Sequence, residues 1–148
     1  MSYVRLLYHV VIRTKASQPV LSLEHSDELY RYIWGIIKSK NSVLYRINGM
    51  EDHVHILLSL HPTIAISDFM REMKAETSKM LKRTAGFEQF TAWSEGYAAF
   101  SYSLSDKDSI INYIKNQREH HKAVSFRDEY EDFLREMELE LDERDWNR

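Results

Sequence analysis

The stretch that most limits what this chain can fold into is Glu51-Asp52-His53-Val54-His55-Ile56-Leu57-Leu58-Ser59-Leu60. It reads as a strand set deep in a sheet. Successive side chains of an extended strand point to opposite faces, so His53 and His55 share one face while Val54 and Ile56 share the other. One reading makes them two half-exposed strand histidines. The other makes them two ligands of one divalent ion, because adjacent imidazoles in a core are costly unless something satisfies them. A catalytic metal then needs a third ligand and a position kept open for substrate. His9, His25 and His61 have no such neighbour, and are assigned to strand, loop and strand end without function.

The third ligand is sought downstream, in residues 106–122. This segment reads as a helix opened by a capping box of Ser105 with Asp108. Tyr113 and Gln117 stand four residues apart on one of its faces. Tyr113 is one of nine tyrosines, and alone it reads as packing. Gln117 alone reads as an exposed amide. Beside two imidazoles, its neutral oxygen suits an ion such as Mg²⁺ or Mn²⁺. A phenol, with a pKa of about 10, is a poor nucleophile at neutral pH. A metal that polarises phosphoryl oxygens compensates for that weakness. Asn116, His120 and His121 flank the pair, as contacts to DNA or metal-bound water or as a solvated helix end.

The remaining elements follow from periodicity. Residues 3–14 (YVRLLYHVVIRT) read as a strand. Leu29, Tyr30, Ile33, Trp34, Ile36 and Ile37 form a helical stripe after Ser26. Residues 42–47 pair with the histidine strand through the Asn48-Gly49 connection. A second helix, capped at Ser67, turns Phe69, Met70, Met73, Met80 and Leu81 inward. Its opposite side carries Arg71, Lys74 and Lys82, read either as a solvated face or as phosphate positioning. Residues 97–104 form a fourth strand. A last helix opens at Ser125 and buries Phe126, Tyr130, Phe133, Leu134 and Met137. Among Trp93, Tyr97 and Phe100, base stacking competes with core packing for at least two.

The resulting order is βαββαβ followed by two helices. This is an α+β fold with a ferredoxin-like core and an antiparallel four-stranded sheet, helices on one face and the other face free to carry a site. The chain is read as one domain, residues 1–148, with a core over 3–122 and an acidic helix and tail over 123–148. Charge follows that division: residues 1–122 carry 16 Lys and Arg against 13 Asp and Glu, whereas 123–148 carry 4 against 10. A mildly basic body binds phosphate backbones weakly without specific contacts. With no cysteine, neither disulfides nor thiolate ligands are available. The absence of a signal-like leader and of a bilayer-length apolar run is read as a soluble cytoplasmic protein.

The motifs Asp52-His53-Val54-His55-Ile56-Leu57-Leu58 and Tyr113-Ile114-Lys115-Asn116-Gln117 with His120-His121 together resemble the single-tyrosine HUH transposases. That family includes small insertion-sequence transposases and the REP-associated tyrosine transposases of bacteria. Met73-Lys74-Ala75-Glu76-Thr77-Ser78-Lys79 and Trp93-Ser94-Glu95-Gly96-Tyr97 support the resemblance, which runs from about residue 3 to about 121. It implies a dimer that cleaves single-stranded DNA beside a hairpin, leaving a 5′-phosphotyrosine link and a free 3′-OH. Carried over by position, Tyr113 is the nucleophile and His53, His55 and Gln117 hold Mg²⁺ or Mn²⁺. Arg71, Lys74, Lys82, Asn116 and His120 are candidate DNA contacts. Family dimers can use the tyrosine in trans. The alternatives are a DNA-hairpin-binding regulator derived from such an enzyme, a rolling-circle initiator or relaxase-like nickase, and a metallophosphoesterase without a covalent tyrosine.

Overall fold

Four short segments, the two central ones buried on both faces, build one antiparallel sheet, shown by a computed structural model that describes residues 1–148. The strands are β1 (Leu7–Arg13), β2 (Val43–Gly49), β3 (His53–Ser59) and β4 (Ala98–Tyr102), in the order β2-β3-β1-β4. That is the expected ferredoxin-like topology, with β1 and β3 central. Val11 lies opposite His55 and Arg13 opposite His53, so the sheet presents both histidines on the face that also carries His9. The first strand is shorter than residues 3–14 suggest. Tyr3, Val4 and Leu6 are exposed and pair with nothing.

The opposite face carries Val10, Ile12, Val54, Ile56 and Leu58, all buried against two helices. Helix α1 (Ser26–Ser39) contributes Leu29, Ile33 and Ile37; α2 (Ile66–Lys82) contributes Phe69, Met70, Met73, Met80 and Leu81. Each set repeats at three to four residues, the spacing of one helical face. Two capping expectations are corrected. The α2 cap is Ala65, two residues before Ser67. Ser26 is already helical, and its hydroxyl donates to the Leu23 carbonyl. Residues 84–96 cross the end of the sheet without regular structure, anchored by buried Phe87, Phe90 and Trp93. The Trp93 Nε1–H donates to the buried Thr77 hydroxyl at 2.9 Å, so the indole is fixed in the core. Phe100 is buried as well.

The face expected to be free is covered. Four short helices lie there in place of two: α3 (Lys107–Lys115), α4 (Gln117–His120), α5 (Phe126–Glu136) and α6 (Glu143–Trp146). The helix expected over 106–122 breaks at Asn116. There the side chain of Asn48, on β2, donates to the carbonyls of Ile114 and Lys115, both at 3.1 Å, taking acceptors that end the α3 ladder. No Ser105 cap forms; the residue preceding α3 is Asp106. The Ser125 cap does form, accepting from the Asp128 amide at 3.2 Å. Val11, Ala98, Phe100, Phe126 and Tyr130 make a second apolar cluster between sheet and α5. The chain then returns to β1, where Arg13 donates to the carbonyls of Asp145 and Trp146 at 2.6 and 2.9 Å and lies over the Trp146 ring. No helix is long and apolar enough to cross a membrane.

The β2–β3 hairpin sets the position of His53. A Cβ on Gly49 would stand 2.2 Å from the His53 carbonyl oxygen and 2.9 Å from the Val54 Cα, both backbone atoms that cannot step aside. Gly49→Ala is therefore expected to lower stability by at least about 1 kcal/mol, read as an earlier midpoint in urea unfolding. A midpoint equal to that of the parent protein would show that the hairpin yields.

Candidate active site

The two strand histidines stand side by side, 5.0 Å between ring centroids, and both are fully buried. Each turns Nε2 toward the same point. His53 Nδ1 donates to Asp52 Oδ1 at 2.7 Å, which leaves Nε2 as the nitrogen facing inward, 3.1 Å from Gln117 Oε1. His55 Nε2 lies 2.8 Å from Glu129 Oε1, and its Nδ1 is 2.7 Å from His9 Nε2. Burial, only partly offset by the Glu129 hydrogen bond and charge, pushes His55 down to about 4. It is therefore neutral at pH 7. With only the carboxylate before it, Nε2–H donates and Nδ1 accepts from His9; were Nε2 to hold an ion, the ring proton would sit on Nδ1 and be given to His9 Nε2. His9 itself is held well below its ordinary value by burial and by the neighbouring His55.

Tyr113 and Gln117 come together as their spacing suggests, despite the break between them. Asn116 N still bonds to the Asn112 carbonyl and His120 N to the Asn116 carbonyl, at 3.1 and 2.9 Å, so the chain keeps its helical course. Both side chains meet Glu129 of α5. The Tyr113 hydroxyl donates to Glu129 Oε2, and Gln117 Nε2 donates to the same oxygen at 2.9 Å. This last bond fixes the orientation of the amide: turned over, its oxygen would face a carboxylate. His121 completes the ring, with Nδ1 donating to the Val124 carbonyl at 2.8 Å and Nε2 lying 2.9 Å from Gln117 Oε1 and 3.2 Å from Glu129 Oε2.

These contacts set the electrostatics. Burial alone raises a carboxyl pKa. Here hydrogen bonds from His121, His55 and Tyr113 outweigh it and hold Glu129 well below the usual carboxylate range. Tyr113 is pushed far above its ordinary value by burial, by its bond to Glu129 and by that residue's charge. Burial lowers His121, but the Glu129 bond and charge win and raise it. The donor set fits a divalent cation. One ligand atom from each of His53, His55, His121 and Glu129 falls within a group no wider than 4.8 Å. Moreover His53 Nε2 and Gln117 Oε1 face each other as acceptors once His53 Nδ1 carries the proton given to Asp52. The outer nitrogens of His53 and His121 are held by oxygens, of Asp52 and Val124, while their inner ones converge, an arrangement typical of ligating histidines.

Of the expected residues, Tyr113, His53, His55 and Gln117 are brought together, and His120 joins them at the rim, 3.2 Å from the Tyr113 hydroxyl. Asn116 is exposed beside them. Arg71 and Lys82 are exposed on α2, Arg71 paired with Asp68. Lys74 is already engaged: its ammonium donates to the carbonyls of Ser94 and Glu95 at 2.6 and 2.9 Å, and to Gly96 at 3.4 Å, holding the loop before β4. The site is capped on one side by Phe126, whose ring stacks on His53 at 3.7 Å and 4°. It opens on the other through a pocket of about 210 Å³ lined by Tyr113, His120, Val124, Glu129, Asp132, Phe133 and Glu136.

Two site residues, Glu129 and His9, escape the sequence reading, and for a third, His121, a place in the site is only one of two readings there. Glu129 had a signal: it falls three residues after Phe126 and four before Phe133, an acid on the apolar stripe of its own helix. His9 shares its strand face with Val11 and Arg13, and only the β1–β3 register shows that this face carries the histidine pair. It does have the neighbour that the sequence reading denied it, His55. His121 is turned inward by its bond to Val124, where a solvated helix end was one reading.

Comparison with known proteins places this geometry among transposases. Residues 2–117 match the family described as "Transposase IS200 like". The ISDra2 transposase TnpA of Deinococcus radiodurans is 26% identical over 122 residues, covering 78% of this chain and 86% of that protein. The transposase for insertion sequence element IS200 of Salmonella typhimurium is 27% identical over 120 residues, 78% of each. Among solved structures, a Deinococcus radiodurans R1 transposase superposes with a TM-score of 0.59 at 28% identity, over 79% of this chain and 95% of that one. A REP-associated tyrosine transposase bound to a REP hairpin gives 0.61 at 13% identity, over 84% and 73%; at that identity the likeness is one of fold.

The His9–His55 bond carries a testable cost. Replacing His9 by Leu strips His55 Nδ1 of its buried partner, and such a loss costs about 1–3 kcal/mol. His9→Leu is expected to shift the urea midpoint down accordingly, with the far-ultraviolet circular dichroism spectrum unchanged. An unaltered midpoint would mean that the bond contributes nothing to folding.

Proposed function

This chain belongs to the family of IS200-like transposases, and from that premise we propose that it is a metal-dependent enzyme that nicks and rejoins single-stranded DNA at hairpin-flanked sites through a 5′-phosphotyrosine intermediate. The observation that carries the reading is the convergence of Tyr113, His53, His55 and Gln117 within one chain. His53, His55 and Gln117 would hold a divalent ion, Mg²⁺ or Mn²⁺. Such an ion, when bound, withdraws charge from the phosphoryl oxygens and lets a phenol serve as nucleophile.

The chain's own residues do the rest. The Tyr113 oxygen bonds to the phosphorus as the phosphorus–3′-oxygen bond breaks; the phenol gives up its proton and the departing 3′ oxygen takes one. In the reverse step a 3′-OH attacks the phosphotyrosine and restores a phosphodiester. Bonds of similar energy are exchanged, so no nucleotide cofactor is required, and catalysis rests on positioning and charge. His120, beside the phenol, is placed to touch the DNA backbone near the reacting phosphate. Arg71, Lys82 and Asn116 are exposed and serve as outer contacts, while Lys74 reaches DNA only by releasing its three carbonyls. Tyr113 sits over its own histidines, which supports attack in cis within each subunit of a homodimer. The fold shared with a transposase bound to a REP hairpin supports a hairpin as the recognised feature.

The test incubates the protein and Mn²⁺ with hairpin-bearing single-stranded oligonucleotides copied from the DNA that flanks its own gene. A denaturation-resistant protein–DNA adduct is expected. Tyr113→Phe should abolish it, and His53→Ala, His55→Ala or a chelator should reduce it by about 100-fold or more. An adduct that survives Tyr113→Phe would move the nucleophile elsewhere. Tight hairpin binding with no adduct under any metal would favour the regulator derived from such an enzyme.

A further inference from the structure

The strongest unassigned feature is Glu129. It is the only buried carboxylate in the chain, 3% exposed, and it sits on α5, beyond the span 2–117 that the family shares. A buried charge is tolerated only when paired. Glu129 faces the groups the proposed reaction uses: His53, His55, Gln117, Tyr113, His121 and, at the edge, His120. Its two oxygens are divided. Oε1 faces the histidines, 2.8 Å from His55 Nε2 and 3.6 Å from His53 Nε2. Oε2 holds the Tyr113 hydroxyl and the Gln117 amide.

Two roles suit a carboxylate there. As a general base toward Tyr113 it is poorly matched, because a proton passing from a phenol of pKa about 10 to a carboxylate of about 4 climbs roughly six powers of ten. As a ligand it is well matched. Atoms bound to one ion at about 2.0–2.2 Å lie no more than about 4.4 Å apart. Oε1 meets that limit toward both histidines, and the whole donor group, no wider than 4.8 Å, meets it after closing by a few tenths of an ångström. A carboxylate also neutralises half of a divalent charge that imidazoles and an amide leave untouched. We propose that Glu129 is an additional ligand of the divalent ion through Oε1, while Oε2 positions the Tyr113 hydroxyl beside it. This rests on the metal-dependent reading above and adds an anionic member, supplied by the C-terminal helix, to its ligand set.

The experiment titrates the full chain with Mn²⁺ alone, without DNA, by calorimetry and by the loss of the free-ion electron paramagnetic resonance signal. Glu129→Gln keeps the shape and the amide's hydrogen-bonding reach but removes the charge, and should weaken Mn²⁺ binding by about 10- to 100-fold or more. Glu129→Asp, which keeps the charge on a shorter arm, should recover part of that loss. Thermal unfolding of each variant shows whether it is folded; if Glu129→Gln is not, folded Glu129→Asp decides, weaker Mn²⁺ binding than the parent by several-fold supporting ligation and binding within twofold overturning it. His53→Ala should remove binding. If Glu129→Gln binds within twofold of the parent while His53→Ala does not bind, Glu129 is no ligand and the histidine site stands. If the parent protein itself takes up no Mn²⁺, the metal-dependent reading fails and takes this inference with it.

Discussion

A charged carboxylate shut away from water dictates how the C-terminal half of this molecule is arranged. Glu129 has lost its hydration, and its oxygens are met instead by an imidazole from β3, an amide from α4 and a phenol from α3. The strand lies about fifty residues from the two helices, and α5 itself follows them. The carboxylate supplies a single point on which all of them close, and an unpaired charge there would be strongly unfavourable. The apolar cluster of Val11, Ala98, Phe100, Phe126 and Tyr130 lies between the same helix and the sheet, and in such surroundings hydrogen bonds to a charge are stronger than in water.

The sheet does a different job on each face. Toward α1 and α2 it is uniformly apolar and supplies the burial that keeps a chain of this size folded. Toward α5 it presents His9, His53, His55 and Arg13, all buried and polar. Such a face is a poor contributor to stability unless each group finds a partner. Each does, with one remainder: His9 Nδ1 has no hydrogen-bond partner. In the neutral ring that nitrogen is the unprotonated one, because Nε2–H is given to His55, and an unmet lone pair is the lesser of the two vacancies. The platform is thus rigid where the histidines stand and ordered outward from them, Asp52 behind one and His9 behind the other.

Much of this was legible in the amino-acid order. The βαββαβ core follows from a contrast between short runs rich in β-branched and aromatic residues and helical stripes of three-to-four-residue period, which tertiary context leaves intact here. The histidine pair is legible because two positions of separation on a strand permits one geometry only. Tyr113 and Gln117 were legible from helical spacing even though the helix ends between them, since the break at Asn116 costs the ladder its carbonyls without bending the chain away. Glu129 was hidden by its company. It is one of ten acids in the last 26 residues, and acidity there reads as a solvated tail. Only its phase relative to Phe126, Tyr130 and Phe133 sets it apart. His9 and His121 depended on partners more than forty residues distant or on a local carbonyl, and neither relation is written in short-range pattern.

The grip of Arg13 on the backbone of Asp145 and Trp146 has a practical side. The last helical turn lies against the strand that positions the histidines, with its indole packed on Phe126 and Tyr130. Purification handles, fluorescent fusions or immobilisation chemistry attached after residue 148 would therefore tug on the architecture beneath the phenol. The opposite terminus offers a safer point of attachment, since Met1 and Tyr3 project into solvent.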